Sequence, residues 1–197
     1  RWGPGEVILL PTGVALLVFL GLLPLFVALH ELGHGIACKA CGRRVDAVGL
    51  TMIDHLVPGV YVDVTDIYMA SRGQRIAVAL AGPLVNLLVA GGLALVAAAL
   101  PTTRASSLLW IAADANLALA LYTLWPFWGI VEDGYDALGE ALRQPRLRSL
   151  AWAWLRARLR RRAPPDSIAP WRAVMYLVGV GGTWLGVGLA FVRWLWG

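Results

Sequence analysis

The chain has 197 residues, of which 59% are hydrophobic and 15% charged, and its formal net charge is +5. A soluble domain carries roughly 25% charged residues to cover its surface, so a cytosolic globule, a disordered segment and a secreted disulfide scaffold are poor readings. The mean hydropathy of +0.68 and the ten Trp point instead to a bilayer, since indoles favour the headgroup interface.

About 20 apolar residues span a ~30 Å hydrocarbon core as a helix. On that measure one membrane-embedded domain is expected over residues 1–197, with spans at about 7–38, 76–100, 105–131 and 173–192. The chain opens at Arg1 without Met, so a preceding segment is expected. The first span is free of charge from Val7 to Leu29 and contains Pro11 and Pro24, which membrane helices tolerate. It runs into His30-Glu31-Leu32-Gly33-His34. Two His four apart on a helix lie about 40° from each other around the axis, so both imidazoles reach one metal, and the adjacent Glu31 can serve water as a general base. Two His and a Glu in a membrane helix are costly without a function, and zinc is the expected ion.

A catalytic zinc takes three protein ligands. The third donor candidates are Cys38, Cys41, Asp54, His55, Asp63, Asp66, Asp114, Glu132, Asp133 and Asp136. Cys38-x-x-Cys41 looks like half a structural zinc site, but an added thiolate favours a closed centre, whereas HExxH favours an open one. The two Cys are also too near each other to close a long loop. Residues 45–64 are rich in Val, Tyr, Thr and Ile, with Pro58-Gly59 as the turn, and predict a short β-hairpin at the membrane.

The second span is uncharged from Ile76 to Leu100, and the third holds a single acid, Asp114, before Glu132-Asp133-Gly134. Because His30 and His34 lie toward the inner end of the first span and the third returns to that side near Glu132-Asp133, these two acids are the favoured third donors. Arginines then crowd residues 143–172. This stretch, with Trp152 and Trp154, reads as an amphipathic segment on an anionic leaflet rather than a nucleic-acid patch. The fourth span is Gly-rich, and its glycines are expected to form a packing face. Fourteen of the seventeen Lys and Arg fall in the two loops on one side, which places those loops in the cytoplasm and the N-terminus outside.

Three separated motifs resemble the site-2 protease family of intramembrane zinc metalloproteases. They are His30-Glu31-Leu32-Gly33-His34, Ala81-Gly82-Pro83-Leu84-Val85-Asn86 opening the second span, and Asp133-Gly134 after the third. The resemblance implies that His30, His34 and Asp133 bind one Zn²⁺ and that Glu31 activates water. It implies that Asn86 bonds the extended substrate or its developing oxyanion. The hairpin stands where that family presents substrate by strand addition, so Tyr61 and Asp63 are expected to touch substrate. Cys38-Lys39-Ala40-Cys41, Tyr61-Val62-Asp63 and Ser71-Arg72-Gly73-Gln74 look like the branch linked to peptide maturation and export. One departure concerns the third ligand. Thr123 and Trp125-Pro126 stand where that family has Asn and Asn-Pro, and Phe127-Trp128-Gly129 lengthens the approach to Asp133. Glu132 therefore competes with Asp133.

The expected fold is an all-α polytopic membrane protein with about four transmembrane helices and a membrane-associated hairpin between the first two. The expected function is zinc-dependent cleavage of a membrane-associated protein or peptide near the cytoplasmic face. Its alternative is an inactive or accessory membrane component of a peptide maturation or export system. The expected location is a plasma membrane of prokaryotic type, with the lipid bilayer and the substrate as partners and no nucleic acid.

Overall fold

The computed structural model describes residues 12–53, 57–130 and 132–196. In chain order the elements are α1 (Thr12–Ala40), β1 (Ala47–Ile53), β2 (Val57–Asp63), α2 (Arg72–Ala99), α3 (Arg104–Leu124), α4 (Asp133–Ala141), α5 (Leu147–Leu159) and α6 (Pro170–Trp196). A 3₁₀ turn, Thr65–Met69, leads into α2. Among the described residues, four helices are long and apolar enough to cross a membrane: α1 from Leu16, α2, α3 and α6. At ~1.5 Å per residue even α3, the shortest at 21 residues, covers about 30 Å. Their outer faces carry exposed aliphatic side chains such as Leu17, Leu88, Leu95, Val178 and Leu189, a surface that lipid solvates and water does not.

Local sequence explains where the helices start and stop. Ser71 caps α2 through a capping box, its hydroxyl accepting from the Gln74 amide while the Gln74 side chain accepts from the Ser71 amide; this satisfies two otherwise orphaned donors. The expected second span therefore begins four residues early, and Gly82-Pro83 lies well inside α2 instead of at its start. The third span was expected to reach residue 131, but α3 stops at Leu124. Trp125 precedes Pro126, and the proline ring drives the residue before it out of the helical region.

Two compact units divide the chain, Arg1–Leu124 and Trp125–Gly197. In the first, α1 packs on α2, on α3 and on β2, and α2 packs on α3. Cys38, Ile67, Ala70 and Val78 form one core cluster where the end of α1 meets the 3₁₀ turn and α2. Phe26, Ala112 and Ala115 form another between α1 and α3. The α1–α2 crossing is close: a Cβ on Gly33 would stand 2.9 Å from the Ala81 carbonyl oxygen and 2.8 Å from Val85 Cγ2. β1 and β2 pair antiparallel, Ala47 opposite Asp63 and Ile53 opposite Val57. Pro58 and Gly59 thus belong to β2, opposite Met52 and Thr51, so the turn expected at these two residues does not fall there. Proline is compatible with a strand at a sheet edge, where its missing N–H removes no ladder bond. Asp54 and His55, two of the candidate donors, lie outside the described residues.

In the second unit Tyr135, Leu147, Ala151, Ile168, Ala173, Tyr176 and Val180 form the core joining α4, α5 and α6. Tyr135 is its polar pin: its hydroxyl accepts from the Arg148 amide at 3.0 Å and donates to the Pro145 carbonyl at 3.2 Å. That hydroxyl occupies one of the first-turn amides of α5, whose own cap residue Arg146 makes no side-chain capping bond. The glycine run of α6 is a packing face at one position only. Gly179 receives the Phe127 ring, 2.5 Å from where a Cβ would stand, whereas Gly181, Gly182, Gly186 and Gly188 have nothing within 4 Å among the described residues.

Candidate metal centre

His30, Glu31 and His34 lie on the last third of α1. His30 stands about 15 Å and His34 about 9 Å along the axis from the helix end at Ala40, at ~1.5 Å per residue. Both imidazoles are buried, 6% and 7% exposed. They meet edge to face, with ring centroids 4.8 Å apart and planes at 78°.

Each ring is held at its Nδ1. His34 Nδ1 donates to the Val78 carbonyl of α2 at 2.7 Å, and His30 Nδ1 donates to Asn86 Oδ1, also on α2, at 3.1 Å. A carbonyl only accepts, so His34 carries its proton on Nδ1 and turns an Nε2 lone pair inward. With Nδ1 of His30 likewise a donor, the two Nε2 atoms converge at 3.1 Å. Two lone pairs at that distance repel unless a cation lies between them. The spacing is close to the ~3.3 Å between two imidazole nitrogens on one tetrahedral zinc.

Gly82 makes room for this pair. A Cβ there would stand 2.6 Å from His30 Nε2, 2.8 Å from His30 Cδ2 and nearer still to His34 Nε2. The backbone of α2 therefore forms the floor under the two metal-facing nitrogens, and only glycine leaves that floor open. The donor chemistry, the fixed Nδ1 protons and the glycine cradle all fit a zinc ion.

Glu31 is half-buried and points to the hairpin, where its carboxylate accepts from the Val62 amide of β2 at 3.2 Å. That amide is directed away from β1, so the outer edge of β2 faces the HExxH segment. Tyr61 is exposed and lays its ring over Gly49 on the paired strand. Asp63 ends β2. Hydrogen bonds from the Thr65 hydroxyl and amide hold its carboxyl below the usual range. Asn86 is fully buried, with its carbonyl toward His30 and its amide nitrogen toward Asn116 on α3.

The other candidate donors are placed as follows. Cys38 is fully buried in the core cluster after the HExxH turn, and its thiol donates to the Arg44 carbonyl at 3.4 Å. Both Cys are free thiols. Asp66 accepts from the Arg44 amide at 2.9 Å and so braces the chain leaving α1. Asp114 is exposed on α3. In the second unit Asp133 is the first residue of α4, Glu132 is its cap residue, and Asp136 lies one turn further. Burial, together with the neighbouring Asp133 and Glu140 carboxylates, pushes the Asp136 carboxyl above its usual range. Gly82, the Val78 carbonyl, the Val62 amide and Asn116 each contact His30, Glu31, His34 or Asn86, and sequence reasoning gave none of them a part in holding the metal. Gly82 alone carried a signal, as the glycine of the Ala81-Gly82-Pro83 motif; the others depend on how α1, β2, α2 and α3 pack.

The sequence profile of peptidase family M50 matches residues 18–143. The chain belongs to peptidase family M50, the site-2 protease family. The Bacillus subtilis (strain 168) protein named "Putative peptide zinc metalloprotease protein YydH" is 31% identical over 116 residues, which cover 57% of this chain and 42% of that one. An uncharacterised protein of Methanocaldococcus jannaschii is 38% identical over 72 residues, 35% of this chain and 20% of its own length. The chain therefore spans less than half the length of these two relatives. No solved structure matches it. Membership of M50, with the four apolar helices, makes the chain an integral membrane protein of a zinc metallopeptidase family. The matched region includes HExxH, Asn86 and Asp133.

Proposed function

We propose that this chain is an intramembrane zinc endopeptidase that cleaves a membrane-associated protein or peptide near the cytoplasmic face. The observation that carries the reading is the convergence of two fixed, lone-pair-bearing imidazole nitrogens over Gly82, with a carboxylate on the next residue of α1. The Bacillus relative's name, a peptide zinc metalloprotease, supports a peptide as substrate. His30 and His34 would hold the zinc together with Asp133, whose place in the Asp-Gly motif favours it over Glu132. When bound, zinc polarises the scissile carbonyl and makes water a nucleophile near neutral pH.

The protein's own groups do the rest. Glu31 takes the proton from the attacking water and delivers it to the leaving amine. The Nδ1 bonds of His30 and His34 keep both rings aimed, so no reorganisation is needed when the carbonyl arrives. A helical substrate hides its carbonyls in hydrogen bonds, so the scissile segment is bound extended. The outer edge of β2 offers the Val62 amide for that purpose, with Tyr61 and Asp63 as flanking contacts. Pairing there would take the Val62 amide from Glu31, freeing the base as substrate arrives. The charge bias supports an orientation with the N-terminus outside and the residues after α1 and α3 in the cytoplasm, in a membrane of prokaryotic type. An inactive or accessory role is not favoured, because nothing in the HExxH geometry is impaired.

The test is proteolysis by the purified chain in detergent, with a peptide or model membrane substrate. Glu31→Gln is expected to lower turnover by about 10²–10⁴-fold while zinc is retained. Turnover by Glu31→Gln at the wild-type rate would overturn the mechanism.

A further inference from the structure

Asn116 lies on α3, is fully buried, and is the far member of a continuous polar chain that crosses three helices to reach His30. Its Nδ2 donates to the Ala112 carbonyl at 3.0 Å. Its Oδ1 accepts from Asn86 Nδ2 at 3.3 Å. Asn86 Oδ1 then accepts from His30 Nδ1 at 3.1 Å. Two buried amides in an apolar bundle are costly unless their polar atoms are paired, and here the pairing has a direction.

The direction follows from the backbone anchor. The Ala112 carbonyl can only accept, so Asn116 must turn its NH₂ to it. That turns the Asn116 oxygen to Asn86, which can meet it only with its own NH₂. Asn86 is left presenting an oxygen to His30. The proton of His30 therefore sits on Nδ1, and Nε2 is the lone pair that converges on His34 Nε2 at 3.1 Å. Were Asn86 reversed, its NH₂ would face Nδ1, the proton would move to Nε2, and His30 would have no lone pair to offer a metal.

We propose that Asn116 is a positioning residue, which acts through Asn86 to hold His30 in its metal-ready tautomer. The consequence for zinc rests on the metallopeptidase reading above, whereas the tautomer itself rests on hydrogen bonds alone. The two can be tested apart. Only three His are present in the chain, so ¹⁵N-histidine labelling of the full chain in detergent gives a spectrum simple enough to read each tautomer. In metal-free wild type, His30 is expected with its proton on Nδ1. Asn116→Leu, similar in size and better suited to an apolar interface, frees Asn86 to reverse, and His30 is expected to shift toward the Nε2-protonated form. Zinc affinity, measured by competition with a chromophoric chelator, should fall about 10–100-fold.

Asn116→Asp keeps an oxygen toward Asn86. It is expected to keep the Nδ1 tautomer and zinc affinity within about threefold of wild type, well short of the 10–100-fold loss of an outer-shell partner, although a buried carboxyl lowers thermal stability. A merely structural asparagine gives the opposite order, with Leu tolerated and Asp harmful to zinc binding and folding together. Wild-type His30 protonated on Nε2, or Asn116→Leu with unchanged tautomer and zinc affinity, overturns the proposal. A folded wild type with the Nδ1 tautomer that takes up no zinc supports the relay and overturns the metal reading instead.

Discussion

Gly82→Ala places a single methyl group under the two metal-facing nitrogens. The new Cβ would lie 2.6 Å from His30 Nε2 and nearer still to His34 Nε2, against an ordinary carbon–nitrogen contact of about 3.4 Å or more. At least one ring must retreat by about 0.8–1 Å. Neither can do so freely, because the His34 Nδ1 bond to Val78 is 2.7 Å and the His30 Nδ1 bond to Asn86 is 3.1 Å. A misplacement of about 1 Å in a catalytic constellation costs on the order of 10²-fold in rate, or about 2.7 kcal/mol. Zinc affinity should fall by a comparable factor. The assay is zinc competition with a chelator, alongside peptide cleavage and far-UV circular dichroism to show that α2 persists. Gly91→Ala is the control, since Gly91 is on the same helix with nothing within 4 Å of a Cβ, and it should match wild type in every measurement. Gly82→Ala with wild-type zinc affinity and turnover would refute the reasoning that α2 is the floor of the centre.

Gly33→Ala acts on packing rather than on the ligands: its Cβ meets the Ala81 carbonyl, which cannot swing away, so α1 and α2 are forced apart. Overpacking of this kind costs about 1–3 kcal/mol and should appear as a lower melting temperature. Tyr135→Phe leaves the Arg148 amide in the first turn of α5 without its acceptor, a loss of about 1–3 kcal/mol for an unsatisfied donor. Thermal unfolding should register that loss with zinc affinity unchanged. For the third ligand, Asp133→Asn is expected to weaken zinc binding by at least 10-fold and Glu132→Gln by much less, against the 10–100-fold typical of outer-shell losses. The reverse order would assign the ligand to Glu132.

What the sequence made legible follows from what each feature depends on. The spans depend only on runs of apolar residues, and the hairpin on a cluster of β-branched and aromatic ones, so α1, α2, α3, α6 and the β1–β2 pair were all expected. HExxH was readable because both imidazoles lie on one helix face by the 3.6-residue period alone. Features that need two elements to meet were not readable. Pro58-Gly59 carries a turn signal, yet the register Ile53–Val57 puts both residues inside β2. Ala81-Gly82-Pro83 looks like a helix opening, yet the Ser71 capping box begins α2 earlier and leaves Gly82 beneath the histidines. Asn116 reads as one more polar residue in a membrane helix until α2 brings Asn86 against it. The end of α3 before Trp125-Pro126 was written in the chain, but the apolar run beyond it, Phe127 to Val131, masked the signal.

Metal analysis of the purified chain, after zinc loading and removal of loose ion, tests most directly whether His30 and His34 hold a metal. One zinc per chain is predicted for wild type and for Glu31→Gln, with less than a tenth of that for His34→Ala. A folded wild-type chain that retains no zinc, or a His34→Ala variant that retains all of it, would contradict the account.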